Sequence, residues 1–176
     1  MKKKLLSGIL ALAIIASPSL GVFDNTNFLI PSFQITASAA QKKSGWYKEK
    51  GNWYFYINGK KAKNRWIRNN HKDYYLKKDG VMATGWEKIG ENWYYFDPVN
   101  GDMYYNRWLE VPQKNQPSDW YFFDGNGIMF EERLLWTGGY YYYFEKGGKM
   151  VHDITMYHYQ CLYHFDSEGR GTLIWG

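Results

Sequence analysis

The chain has 176 residues, enough for one ordinary domain, and one fifth of them are Phe, Trp or Tyr. That aromatic content excludes a disordered chain, and the single Cys161 excludes an internal disulfide framework. Without residues 1–39 the chain holds 19 basic and 16 acidic residues, net +3, which is too mild to indicate a nucleic-acid-binding protein.

The N-terminal segment, residues 1–39, predicts a signal peptide. Three lysines precede an apolar run at 5–16, which is of signal-peptide length and too short to span a membrane. Small residues at 37–39 predict cleavage that leaves Ala40 as the mature start, with an earlier cut or an uncleaved anchor as alternatives. We therefore expect a secreted protein whose mature chain has no transmembrane segment.

A short basic lead-in at 40–44 is followed by a unit of about 20 residues that recurs to the end of the chain. The copy at 85–103 is the cleanest: Gly-Trp, then Trp-Tyr-Tyr-Phe, then Gly-x-Met. The aromatic cores of the six copies begin at Tyr54, Tyr74, Tyr94, Tyr121, Tyr142 and Tyr163. Such spacing predicts a repeat array over 45–176.

Each copy predicts a β-hairpin, because aromatic residues flank a turn signal such as Gly51-Asn52. One hairpin alone has too small a core to be stable in water, so each must pack against its neighbours. No segment after residue 45 has helical periodicity. The predicted fold is an all-β hairpin solenoid of about six repeats.

Two copies depart from the pattern in ways that bear on the structure. The fourth carries an insertion with Pro112 and Pro117, which should form a longer loop between Trp108 and Trp120. The last follows its glycine with Leu173 where four other copies have methionine, and the first copy has Lys61 there. Terminal repeats are often atypical because they cap the stack.

Charge is unevenly distributed along the repeats. Residues 40–80 hold 12 basic and 3 acidic residues, net +9, and residues 81–176 hold 7 and 13, net −6. The basic part is either an ordinary solvated surface or a surface that meets an anionic polymer.

Nothing in the sequence predicts catalysis, a metal or a cofactor. The spacing His158-x-x-Cys161-x-x-His164 matches no standard zinc pattern, and a strand would place its members on opposite faces. No glycine-rich phosphate-binding loop precedes a helix. We expect a protein that is not an enzyme.

The repeated pattern resembles the cell-wall-binding, or choline-binding, repeats of Gram-positive surface proteins and lytic enzymes, over 45–176. Glucan-binding repeats are similar. The resemblance implies a secreted, non-catalytic protein of the cell wall or surface that docks on choline-bearing teichoic polymers. Two alternatives stay open: a glucan- or peptidoglycan-binding module that uses Asn52, Asn69 or Asn92, and a structural or adhesive solenoid without a ligand.

In such repeats a ligand lies between consecutive hairpins, boxed by two tryptophans of one repeat, a tyrosine of the next and a nearby methionine. The resemblance places three such groups here, which we call ring boxes. The first ring box is Trp46, Trp53, Tyr74 and Met82; the second is Trp86, Trp93, Tyr121 and Met129; the third is Trp108, Trp120, Tyr142 and Met150. Independently of the family, rings suit a quaternary ammonium, which cannot donate a strong hydrogen bond and binds through cation–π contacts.

Overall fold

The structure is a computed structural model that describes residues 42–176, and β-strands are the only regular elements in that range. The predicted signal peptide at 1–39 lies outside the described residues, as does the start of the basic lead-in at 40–44. Among the residues described, no helix is long and apolar enough to cross a membrane.

Six antiparallel hairpins follow one another along the described chain. They pair β1 (Gly45–Glu49) with β2 (Asn52–Ile57), β4 (Arg65–Asn69) with β5 (Lys72–Leu76), β6 (Gly85–Ile89) with β7 (Asn92–Phe96), β8 (Arg107–Gln113) with β9 (Gln116–Phe123), β10 (Arg133–Thr137) with β11 (Tyr140–Phe144), and β12 (Ile154–His158) with β13 (Cys161–Phe165). Short β3 (Lys60–Lys61) pairs with β2, and β14 (Gly171–Trp175) joins β13 to β11. The predicted all-β hairpin-repeat fold is confirmed.

Two-residue turns connect the strands of the hairpins. The first turn is Lys50-Gly51, with φ of 48° and 87°, one residue earlier than the predicted Gly51-Asn52. Asn70 and His71 form the second turn, with φ of 49° and 61°. Positive φ at both central residues is typical of the type I′ turn, whose twist matches that of the flanking strands.

The centre of each repeat is the last residue of the aromatic core. Leu76, Phe96, Phe123, Phe144 and Phe165 are fully buried. The first four of these pair across the chain with Met82, Met103, Met129 and Met150. Full burial of such a side chain stabilises the fold by about 1.5–3 kcal/mol, so these five positions are the most deeply buried part of the hydrophobic core.

Neighbouring hairpins are joined through the methionine that follows the second of them. The backbone N–H of Met82 donates to the carbonyl of Trp53 at 2.9 Å, and Met103 donates in the same way to Asp73 at 2.8 Å. The pattern recurs from Met129 to Trp93 and from Met150 to Trp120. Each junction between these hairpins therefore has the same backbone hydrogen bond.

The Gly-x-Met motif is explained by contact between successive repeats. The side chain of Met82 lies where a Cβ on Gly101 would be, and Gly101 has φ of +75°. Met103, Met129 and Met150 lie in the same way against Gly127, Gly148 and Gly169. A side chain at these glycines would displace the methionine of the preceding repeat, so glycine is required for both space and backbone conformation.

An ion pair crosses each of two junctions. The two pairs occupy equivalent repeat positions, with the acidic and the basic residue exchanged between them. Lys72 Nζ lies 2.9 Å from the Asp102 carboxylate, and Lys149 Nζ lies 2.9 Å from the Asp119 carboxylate. In each pair, one residue comes directly before the methionine whose N–H donates the hydrogen bond across the junction. The other comes directly before the residue whose carbonyl accepts that bond. These pairs therefore link adjacent repeats beside the backbone hydrogen bond.

The insertion in the fourth repeat does not form the expected longer loop. Instead β8 and β9 are extended and joined by a two-residue turn, and the register shifts between Val111 and Gln113. Pro112 lies at this irregularity, where its lack of an N–H is tolerated. Because Glu110 still pairs with Trp120 and Trp108 with Phe122, the regular register is preserved near the core.

The last repeat also differs from the expectation. Gly171, rather than Leu173, occupies the position of the methionine, because it pairs with Phe165 and with Tyr141 of the preceding hairpin. Leu173 is half exposed. The ring of Phe165 fills the space beside Gly171, which leaves no room for a methionine side chain.

Candidate functional site

The first tryptophan of a ring box contacts the tyrosine of the next hairpin. Ring centroids are 4.9 Å apart for Trp46 and Tyr74, 4.9 Å for Trp86 and Tyr121, and 5.0 Å for Trp108 and Tyr142, all edge to face. Such geometry is favourable for aromatic pairs. The structure therefore brings these six predicted residues together in pairs across three junctions.

The second tryptophan completes the group in the second and third ring boxes. Trp86 and Trp93 lie 6.3 Å apart with planes at 85°, and Trp108 and Trp120 lie 6.3 Å apart with planes at 76°. Trp53 of the first ring box has no aromatic partner in the described part of the chain, and the Lys48 ammonium lies 5.8 Å from its ring centroid. The first ring box is thus the less complete of the three.

The three methionines of the ring boxes are not equivalent. Met82 and Met129 are buried, with 7% and 6% of their surface exposed, and their ends lie against Gly101 and Gly148. Met150 is half-buried. The first two serve mainly as core contacts, whereas Met150 also has surface available to a ligand.

A cavity of about 510 Å³ lies at the third ring box. All four predicted residues of that ring box line it. The extended hairpin adds Glu110, Pro117 and Ser118 to the wall, and the later repeats add Thr137, Gly138, His152, Ser167 and Glu168. Cavities of this size are typical of small-molecule sites.

The sequence did not identify the additional wall residues of this cavity. Pro117 and Ser118 belong to the insertion between Trp108 and Trp120, which the sequence had assigned to a loop. Glu110 could have been found from hairpin pairing, because it lies directly opposite Trp120. The insertion therefore enlarges the third ring box rather than disrupting it.

Two of the box tyrosines, Tyr74 and Tyr121, are half-buried. Desolvation raises the pKa of Tyr74 and of Tyr121 above the ordinary tyrosine value. These rings, like those of ordinary tyrosines, are neutral at physiological pH, and each has an electron-rich face.

The remaining junctions have incomplete ring groups. Trp66 contacts Tyr94 at 5.1 Å, but Asp73 stands at the second-tryptophan position and lies 3.4 Å from the Arg68 guanidinium. Leu134 stands at the first-tryptophan position of the fifth repeat, opposite Tyr143. Neither junction therefore has the two tryptophans that a ring box contains.

Within 42–176 no group of three His, Cys, Asp or Glu side chains is placed to hold a metal ion. His158 and Cys161 pair across the last hairpin, and Nδ1 of His164 lies 2.9 Å from the Thr155 hydroxyl.

Comparison with known proteins shows what the repeats are similar to. A family model described as a choline-binding repeat matches residues 66–108, and one described as a putative cell wall binding repeat matches residues 113–129. The repeats of this chain are therefore similar to choline-binding and cell-wall-binding repeats.

Solved structures of other proteins are similar to this chain. CbpJ from Streptococcus pneumoniae TIGR4 is 29% identical, with a TM-score of 0.59 over 74% of this chain and 42% of that one. Choline binding protein F from Streptococcus pneumoniae, solved with a peptidoglycan analogue, is 29% identical, with a TM-score of 0.58 over 74% and 41%.

The choline-binding domain of CbpL from Streptococcus pneumoniae is 27% identical, with a TM-score of 0.52 over 74% of this chain and 78% of that one. This chain spans about two fifths of the length of CbpJ and of choline binding protein F. No curated protein sequence matches it.

Proposed function

We propose that this chain is a secreted, non-catalytic cell-wall-binding protein that holds the choline groups of teichoic polymers in its ring boxes. The observation that carries the proposal is the cavity at the third ring box, where Trp108, Trp120 and Tyr142 meet around about 510 Å³ of space.

The chemistry of the ring boxes suits a methylated cation. A quaternary ammonium offers no N–H to a hydrogen-bond acceptor, so its recognition rests on ring faces and on apolar contact with its methyl groups. Each desolvated cation–π contact contributes about 0.5–2 kcal/mol, so one box binds weakly. Several boxes on one chain raise retention on a polymer through effective concentration.

The similar proteins support a wall partner. The CbpL domain is described as choline-binding, and choline binding protein F was solved with a tetrasaccharide-pentapeptide analogue of peptidoglycan. The second of these also favours an alternative function, in which the ring boxes stack on sugars and Asn52 and Asn92, both exposed at strand starts, donate to hydroxyl groups.

A tryptophan-fluorescence titration of the chain with choline, and separately with glucan and peptidoglycan oligomers, tests the proposal. We expect choline to alter the fluorescence and Trp120→Ala to weaken binding by about 1–3 kcal/mol, because one wall of the cavity is lost. The matched control is Trp136→Ala, since Trp136 is 60% exposed and does not line the cavity.

Three outcomes separate the candidates. A response to oligosaccharide alone would establish the glycan-binding alternative and overturn the choline proposal. No response to any ligand would contradict both binding functions and leave the structural or adhesive solenoid without a ligand as the remaining candidate. Equal loss of binding in Trp120→Ala and Trp136→Ala would also contradict the proposal, because it would show that the cavity has no special role.

Export is the second part of the proposal and rests on the predicted signal peptide at 1–39. Protein recovered from the culture medium or the wall should begin near Ala40 when its N-terminus is sequenced. An intact chain beginning at Met1 in the membrane fraction would contradict it.

A further inference from the structure

One position in each ring box carries a charge whose sign differs between boxes. It is the residue directly opposite the second tryptophan in its hairpin: Lys48 opposite Trp53, Lys88 opposite Trp93, and Glu110 opposite Trp120. Directly opposed residues of an antiparallel pair have Cβ atoms about 4.5–5.5 Å apart on the same face. The side chain at this position therefore starts beside the second tryptophan of its box.

In the first ring box the protein places its own cation there. The Lys48 ammonium lies 5.8 Å from the Trp53 ring centroid, within the range of a cation–π contact. A cationic ligand entering this box would meet a like charge. Lys88 gives the second ring box the same sign, although Glu91 lies 3.9 Å from it.

In the third ring box the corresponding charge is negative and unpaired. Glu110 lines the cavity and forms no ion pair or hydrogen bond with another side chain within residues 42–176. The other acids near the cavity are neutralised by partners: Glu168 lies 2.7 Å from Arg170, and Asp119 lies 2.9 Å from Lys149. Glu110 therefore supplies the uncompensated charge of the wall.

We propose that Glu110 is the specificity-determining residue that makes the third ring box select a cation, whereas Lys48 and Lys88 make the other two boxes poor cation sites. This inference rests on the proposed function and adds to it a ranking of the boxes. It also predicts that the third ring box is filled first as a cationic ligand is added.

The expected size of the effect follows from Coulomb attraction. Unit charges about 6 Å apart in a water-like dielectric change a binding constant about threefold. Removing the Glu110 charge should therefore weaken cation binding about threefold, and replacing it with lysine should weaken it about tenfold. Binding of an uncharged ligand of the same shape should not change.

The test is an NMR titration of the full chain carrying labelled methionine methyl groups, at low ionic strength. The methyls of Met82, Met129 and Met150 report separately on the first, second and third ring boxes. The ligands are choline and its uncharged isostere, in which carbon replaces the quaternary nitrogen. The variants are Glu110→Gln, Glu110→Lys and the reciprocal Lys88→Glu, with Glu91→Gln as the control, since Glu91 is 98% exposed and does not line the cavity.

We expect the Met150 methyl to respond at a lower choline concentration than Met82 and Met129, with no such order for the isostere. Glu110→Gln should raise the choline concentration needed at Met150 about threefold and leave the isostere unaffected. Lys88→Glu should lower the concentration needed at Met129, while Glu91→Gln should not change the response at Met150.

Choline binding at Met150 that is unchanged by Glu110→Gln, or a change shared equally by choline and the isostere, would overturn this inference and leave the proposed function standing. If none of the three methionine methyls responded to either ligand, that result would contradict the proposed function, and this inference with it.

Discussion

At the scale of single residues, Gly101 shows how the repeat motif acts on stability. Its φ of +75° disfavours any other residue, and a Cβ there would meet the end of the Met82 side chain. Gly90 offers a comparison, because its φ is +63° but no atom lies within 4 Å of the Cβ position. The two sites share the backbone requirement and differ in the space available.

We therefore predict that Gly101→Ala destabilises the protein more than Gly90→Ala. Gly90→Ala is the control and should lower the free energy of unfolding by about 1 kcal/mol, because of its positive φ. Gly101→Ala should lower it by about 1–3 kcal/mol more, because Met82 must move. Urea denaturation of both variants, followed by far-UV circular dichroism, measures the difference. Equal midpoints would show that the contact between Met82 and Gly101 contributes nothing.

Residue identity in the sequence was sufficient to predict which rings meet at three of the hairpin junctions. The first tryptophan and the following tyrosine of all three ring boxes are in contact, because the repeat period places them at neighbouring hairpins. The charge opposite the second tryptophan was missed, because it depends on hairpin register rather than on the motif. The role of Gly171 was missed for the same reason: the spacing from glycine favours Leu173, whereas strand pairing selects Gly171.

At the scale of the element, the ion pairs at the junctions allow the contact between hairpins to be measured. Lys149 and Asp119 are 2.9 Å apart, with side chains 49% and 21% exposed. The partial exposure limits such a pair to about 0.2–1 kcal/mol after solvent screening. Lys72 and Asp102 occupy the same repeat positions with opposite signs, which shows that the site accepts either orientation of the charges.

We predict that Lys149→Asp and Asp119→Lys each lower stability and that the double exchange restores most of the loss. Because the pair links two repeats, the recovery should appear in the thermal unfolding midpoint of the full chain. The same exchange with 1 M salt present serves as the control, since salt screens exposed pairs. A double variant no more stable than the single variants would show that the pair does not couple the repeats.

The element that the sequence described least well is the fourth hairpin. Its two prolines suggested a loop, yet β8 and β9 continue through the insertion with one irregularity near Pro112. The prolines did not indicate a loop correctly, because a β-bulge within a strand tolerates a residue without an N–H. The unpredicted strand extension supplies Pro117 and Ser118 to the cavity.

At the scale of the whole molecule, charge separates the repeats into two groups. Residues 40–80 carry net +9 and residues 81–176 net −6. In the basic part, Lys43 and Lys61 are paired with Glu49, whose pKa is lowered to about 2 by hydrogen bonds from Lys61 and Tyr56. Lys60 and Lys63 are exposed and remain available to a polyanion.

We predict that binding to isolated cell walls falls as salt rises and then levels off where the ring boxes alone retain the protein. Exposed charges are screened beyond about 8 Å at physiological salt, whereas ring contacts are far less sensitive. The double variant Lys60→Gln, Lys63→Gln should flatten the salt dependence without changing the affinity for free choline. Lys114→Gln with Lys146→Gln removes the same charge from the acidic part and should have a smaller effect.

Wall sedimentation at increasing salt measures both variants. Binding of the unmodified protein that is insensitive to salt would show that the basic repeats are an ordinary solvated surface.

The repeated junction between hairpins also has a mechanical consequence. A chain bound to the wall as proposed would be pulled when the surface moves, and the load would pass along the chain from one hairpin to the next. Each of the first four junctions has the same backbone hydrogen bond, such as that from Met82 to Trp53, and the second to fourth also have a methionine packed on a glycine, such as Met82 on Gly101. Under tension these junctions should break one at a time. The molecule would then lengthen in steps and absorb work while the ring boxes of the intact repeats stay bound.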